Sequence, residues 1–281
     1  MKTCLDCIPC FLKQALFAAR TALDDEVKIK EVLDEVGRLV SDIPLESSPP
    51  ETGREVYRVV REVTGVNDPF KELKEQSIEK ALALYPSLKE MLKKATDPLE
   101  TAVRLAIAGN VIDFGANPDF DLEQDIREVI QQEPAINHYQ AFRDKLGLAR
   151  EILYVGDNAG ETVFDKILIE MMGRPVTFAV RERPIINDAT MEDAVRSGLD
   201  TVATVISSGC DAPGTVLGKC SGGFLDHFQK ADLIISKGQG NYETLSNERR
   251  PIFHLLKAKC PVIAKELDVK VGDTVIKYSL Q

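Results

Sequence analysis

EILYVGDNAGETVFDKILIE, residues 151–170, is the stretch whose reading decides the fold. Its first part, EILYVG (151–156), is a short apolar run bounded by charge and glycine, which reads as a buried strand. GDNAGE (156–161) is a polar turn, and residues 161–172 then read as a helix. The same kind of run recurs downstream as PVTFAV (175–180), TVATVI (201–206), DLIISK (232–237), PVIAKE (261–266) and TVIKYS (274–279). These runs are rich in Val, Ile and Thr, as buried strands are. Helical segments at 189–197 and 222–231 separate several of them. Strand–helix alternation predicts an α/β fold with a largely parallel sheet and helices on both faces.

Upstream the pattern differs. Residues 10–23 are apolar and Ala-rich, and EVKIKEVLDEVGRLVS (26–41) places Val27, Ile29, Val32, Val36 and Leu39 near a 3.6 period. Ser-Ser-Pro-Pro at 47–50 ends that segment and precedes a helix at 51–64. Further helices are expected at 68–84, 86–95, 97–109, 121–131 and 136–147. The expected organisation is therefore a helical N-terminal region, 1–150, packed on a Rossmann-like three-layer α/β/α core, 151–281. No flexible linker separates the two parts, and no internal repeat is evident.

Composition narrows the function classes. Hydrophobic residues make up 44% and charged residues 28%, the profile of a soluble globular chain. No apolar run approaches the roughly 20 residues that span a bilayer. The N-terminus lacks the features of a signal peptide, so the expected location is the cytoplasm. The formal net charge is −10 without a dense Lys/Arg stripe, which argues against nucleic acid as a partner.

The chemistry-bearing residues follow the strands. Ligands in open α/β sheets bind beyond the carboxyl ends of the strands. Asp157 offers a carboxylate there and Asn158 an amide oxygen, both hard ligands suited to Mg²⁺ or Mn²⁺. Glu161 begins the helix that would point free N–H groups at an anion. The alternative for this turn is helix capping, for which Asp and Asn are equally suited. PIINDAT (184–190) places Asp188 at a second strand-to-helix turn, where the alternative is again an N-cap. Two neighbouring strands delivering carboxylates to one sheet edge favour a metal site. Arg181 and Arg183 lie just upstream, and guanidinium forks suit phosphate oxygens. SKGQGNYE (236–243) follows another strand and offers Lys237 and Asn241 as phosphate or substrate contacts, the alternative being a turn with a solvated lysine. It is not a Walker A loop, and no dinucleotide fingerprint follows the first strand. In GNVIDFGANPD (109–119), Asn110 and Asp113 share an i, i+3 spacing and could line a cleft, or simply end a helix.

Cys4, Cys7 and Cys10 form C-x-x-C-x-x-C. In a cytosolic chain this spacing reads as a second metal or redox cluster before a structural disulfide, although a zinc site needs a fourth ligand. Inert packing at a helix start is the alternative. His227 and His254 look like ordinary helix residues, and no nucleophile elbow is present.

The order GDNAGE, INDAT, KGQGNYE resembles the metal-dependent damage-control phosphatases, first catalogued as domain of unknown function 89. The N-terminal C-x-x-C looks like the mark of a microbial, largely archaeal, subfamily. The resemblance implies a helical region on a Rossmann-like core, and one divalent metal, Mn, Ni, Co or Mg. Its ligands map onto Asp157, Asn158 and Asp188. The substrate loop maps onto Lys237, Gly238, Asn241 and Tyr242. A later lysine maps onto Lys257 in HLLKAK, where His254 and Leu255 stand in place of an Arg-Thr pair of eukaryotic members. The implied activity is hydrolysis of small phosphorylated metabolites, with Asp157, Asp188 and Lys237 at the reaction centre. Attack through an aspartyl-phosphate or by water stays open at this point, as does the oligomeric state. The rival readings are an S-adenosylmethionine-dependent methyltransferase and a non-catalytic metal or redox sensor built on the cysteines.

Overall fold

The computed structural model describes residues 1–109 and 122–280. The chain opens with α1 (Cys7–Ala22), α2 (Glu26–Ser41), α3 (Pro49–Thr64), α4 (Lys71–Lys94), α5 (Pro98–Gly109) and α6 (Leu122–Gln131). Local chemistry sets several of these boundaries. The Asp25 side chain accepts from the amides of Val27 and Lys28 at the start of α2. A reciprocal Ser48–Glu51 capping box starts α3, and Gly65 ends it in the left-handed region. Helix α3 thus begins at the prolines rather than after them, because a first-turn residue has no intrahelical N–H bond to lose. The two helices expected at 68–84 and 86–95 are one, α4, with Pro86 inside. Pro86 is exposed, so the carbonyl it leaves unpaired faces water, while Leu88 and Leu92 bury the second half.

The rest alternates: β1 (Ile136–Asn137), α7 (Tyr139–Leu148), β2 (Ile152–Val155), α8 (Thr162–Met172), β3 (Val176–Val180), α9 (Met191–Arg196), β4 (Thr204–Ser207), α10 (Gly222–Lys230), β5 (Leu233–Lys237), α11 (Gly238–Leu245), β6 (Ile252–Lys257), α12 (Pro261–Leu267) and β7 (Thr274–Tyr278). Two expectations fail here. PVIAKE is not a strand but the body of α12, started by Pro261 in the first turn. The strand is instead IFHLLK (252–257), so His254 is a strand residue and not a helical one. A short apolar run does not distinguish a buried strand from a buried helix by periodicity alone. Residues 136–147 also divide, into β1 and α7.

Among the described residues the strands form one seven-stranded sheet, β1-β7-β6-β5-β2-β3-β4, parallel except for β6 against β7. Side chains alternate between its faces. Tyr154 and Phe178 stack at 5.1 Å and pack with Ile167 and Leu168 of α8 on one side. Leu153, Val155 and Ile234 pack on Phe224 and Phe228 of α10 on the other. Both faces are covered, which is why β2 and β5 read as continuous apolar runs. Each fully buried large side chain of this core contributes roughly 1.5–3 kcal/mol.

Helices α1–α3 bury a separate core of Phe11, Val32, Val36, Val56 and Val60, and that core also covers Ile185. Chain direction across the sheet reverses at β2: β3 and β4 lie to one side, β5 and β6 to the other. The crevice beyond the carboxyl ends of β2 and β5 is therefore the expected ligand position. Among the described residues no helix is long and apolar enough to cross a membrane.

Candidate active site

Asp157 and Asn158 leave the carboxyl end of β2 and run beside the segment that follows β3. The Ala159 amide donates to Asn187 O, and the Ala189 amide donates to Asp157 O, each at 2.8 Å. Asn158 and Asp188 are thereby paired in an isolated antiparallel bridge. The hydrogen bonds flank this pair rather than join it. Such residues lie about 4.5 Å apart at Cα with side chains on the same side. Two turns distant in sequence thus deliver Asn158 and Asp188 to one spot. Neither side chain caps a helix. Asn158 makes no cap bond, and α9 is capped by Thr190 with Asp193 in return. The turn before Asp188 is strained: Ile186 has φ +48°, a conformation that costs a β-branched residue of order 1–3 kcal/mol. Packing of Ile185 and Ile186 against the α1–α3 core holds it.

Arg181 directly follows β3 and is buried. Its Nε donates to Asp188 Oδ2 at 2.7 Å, one terminal nitrogen to Thr215 Oγ1 at 2.9 Å and the other to Asn241 Oδ1 at 3.0 Å. The second terminal nitrogen lies 4.0 Å from Asp157 Oδ1. Arg181 is thus a clamp on one Asp188 oxygen, with its fork committed to protein partners. Asn241 in turn donates to Gly156 O at 2.9 Å and Lys237 O at 2.8 Å, tying the ends of β2 and β5 together. Gly156 itself is needed for a close approach, since a Cβ there would fall 2.6 Å from the Phe178 ring.

Lys237, the last residue of β5, is completely buried. Its Nζ donates to Glu161 Oε2 at 2.8 Å and Asp165 Oδ1 at 2.7 Å. Tyr154 OH donates to the same Asp165 oxygen at 2.6 Å. The Asn158 amide nitrogen donates to Glu161 Oε1 at 2.6 Å.

Around the bridge, four carboxyl groups (Asp157, Glu161, Asp165, Asp188) and two cations (Arg181, Lys237) are buried together. At formal charges these six groups sum to −2, in a place where buried charge is costly. The strain appears in the acids. Burial, reinforced by the Asp188 and Glu161 charges, pushes Asp157 up to about 8. Burial raises Asp188 as well, against the opposing pull of Arg181. Asp165 is pushed up to about 6, by burial first, with Lys237 pulling the other way. Burial alone would lower Lys237, but Asp165 and Glu161 outweigh it and hold it above the ordinary lysine range. An oxygen donor set of this kind fits a hard divalent cation. The fitting set is two carboxylates and one amide: among the described residues no three His, Cys, Asp or Glu side chains are gathered in metal-holding position.

The other expected residues are not in this hydrogen-bonded group. Arg183 is exposed. Lys257 ends β6, half-buried, and its partial burial lowers it below the usual lysine range. Cys4 and Cys10 are exposed and Cys7 is half-buried at the start of α1. Asn110 and Asp113 lie outside the described residues. Sequence reasoning missed Asp165 and Thr215, which carry no motif signal because α8 and the 208–221 loop reach the site only on folding. It also passed over Lys259, whose charge acts on Asp157. The Lys-Ala-Lys spacing was the available signal, since alternate residues of an extended segment share a side.

The chain matches the family described as Damage-control phosphatase ARMT1-like domain over residues 3–275. It belongs to that family. A damage-control phosphatase of Pyrococcus horikoshii is 38% identical to it over 98% of this chain and 97% of its own. One of Archaeoglobus fulgidus is 34% identical over 96% and 97%. A solved structure of a DUF89 family protein from Pyrococcus horikoshii superposes with a TM-score of 0.93 at 37% identity, covering 99% of both chains.

Proposed function

We propose that this protein is a metal-dependent phosphatase that hydrolyses phosphate monoesters of small metabolites. Family membership supports the phosphatase class. The metal dependence rests on one observation, the gathering of buried hard oxygen donors, Asp157 and Asp188 with Asn158, around the Asn158–Asp188 bridge. Asp157, the carbonyl oxygen of Asn158 and Asp188 are the residues that would hold the ion. When bound, a divalent cation supplies positive charge to phosphoryl oxygens. Phosphoryl transfer needs mainly positioning and charge stabilisation, and the chain's residues provide both. Arg181 fixes the orientation of Asp188, and Asn241 sets the distance between the ends of β2 and β5. Lys257 and Lys259, at and just beyond the carboxyl end of β6, are the cations for the phosphate of the substrate.

The test is phosphate release from p-nitrophenyl phosphate by metal-stripped protein, with Mg²⁺, Mn²⁺, Co²⁺ or Ni²⁺ returned singly. Turnover restored by metal and absent in Asp157→Ala supports the reading. Turnover that persists in chelator, or in Asp157→Ala at the same metal concentration, removes it.

A further inference from the structure

A lysine beyond a strand in a glycine-rich stretch reads as a hand for phosphate, but the surroundings of Lys237 do not suit that task. Its side chain has no solvent exposure, and two of its three N–H bonds end on Glu161 and Asp165. Tyr154 OH donates to the same Asp165 oxygen as Lys237, and the second Asp165 oxygen is buried without a hydrogen-bond partner. The carboxylate of Glu161 joins two groups: Oε2 receives Lys237, and Oε1 receives the amide nitrogen of Asn158. A carboxylate only accepts, so Asn158 must present its nitrogen to Glu161 and its carbonyl oxygen away from it. The bridge puts the Asn158 and Asp188 side chains on the same side of the paired segments.

We propose that Lys237 is a positioning residue: the chain Asp165–Lys237–Glu161–Asn158 fixes the Asn158 amide so that its oxygen faces the cation. The inference rests on the metal-dependent reading above. It assigns Lys237 to ion binding and leaves contact with the phosphate to Lys257 and Lys259 at and just beyond the end of β6. It also explains why a lysine is completely buried in a site that handles anions. Anchoring of the Glu161 carboxylate at one oxygen keeps the other aimed at a residue three positions earlier.

The experiment is calorimetric titration of Mn²⁺ into wild type, Lys237→Met and Glu161→Gln, with the inhibition constant of orthophosphate measured on the Mn²⁺-saturated proteins. Partners that orient a ligand typically change metal affinity by about 10–100-fold, so Lys237→Met is expected to weaken Mn²⁺ binding by at least about tenfold. Orthophosphate inhibition at saturating Mn²⁺ is expected to stay within about twofold. Glu161→Gln keeps the size of the side chain and carries the test if Lys237→Met does not fold, with weakened Mn²⁺ binding again expected. Unchanged Mn²⁺ affinity in the folded variants, or weakened orthophosphate inhibition with intact Mn²⁺ affinity, overturns the inference alone. A wild-type chain that binds no Mn²⁺, Mg²⁺, Co²⁺ or Ni²⁺ overturns the metal-dependent reading, and this inference with it.

Discussion

Gly238 and Asp157 are in contact to the exclusion of any side chain: a Cβ on Gly238 would overlap the carboxylate Oδ2 of Asp157. Gly238 also has φ +77°, so its position needs glycine for backbone and space together. Helix α11 begins at this residue, with no side-chain cap, and its positive end faces the aspartate. Gly238→Ala should therefore displace Asp157 and lower turnover by about 100-fold or more, the scale of a misplacement near 1 Å. Gly222→Ala, where a Cβ meets nothing within 4 Å, should leave turnover unchanged. Steady-state kinetics on the two variants checks both outcomes.

Arg181→Lys should be severe despite the retained charge. One ammonium cannot reproduce donations to Asp188, Thr215 and Asn241 in a fixed fork. Removing a partner of a buried ion pair costs about 3–5 kcal/mol, and the lysine should lose a substantial part of that. Chemical denaturation should report a lower midpoint with an unchanged slope.

Metal removal should make stability fall with pH. The folded acid of Asp157 is pushed up to about 8, far above its unfolded value near 3.8. A raised acid contributes stability that is fully present below the unfolded value and lost as pH rises through the folded one. The metal-stripped protein should thus melt at a lower temperature at pH 8.5 than at pH 5, by about 5 °C or more for a chain of this size. Saturating Mn²⁺ should raise the melting temperature most at the alkaline end, because the ion replaces the proton. Differential scanning calorimetry in both states across that range is the check.

Lys259→Ala should raise KM for p-nitrophenyl phosphate by roughly tenfold, the loss of one charge-assisted contact worth about 1.4 kcal/mol. The side chain is exposed, so the melting temperature should not change. An unchanged KM would transfer the substrate contact to Lys257.

What the sequence by itself determined is the set of strand ends and what they carry. Asp157, Asn158, Asp188, Lys237 and Asn241 could be picked out because each stands at or soon after the end of an apolar run, which is a local property, although the glycine-rich stretch that reads as a turn after Lys237 is helix α11. The α/β class was legible for the same reason, since alternation of short runs and helices needs no knowledge of contacts. Position in the sheet was not. By sequence PVIAKE reads as a strand and IFHLLK does not, because both are short and apolar and only the neighbours β5 and β7 select the second as a strand.

Tertiary structure alone decided how the site residues work. Asn158 and Asp188 meet through backbone bonds between two loops, and Arg181 and Lys237 are turned inward by partners on other elements. Asp165 joins from the helix after the motif, and Thr215 from a loop without one. The reason is physical. A lysine or arginine in a polar turn is soluble by default, and whether it meets water, a carboxylate or a substrate depends on what folding buries beside it.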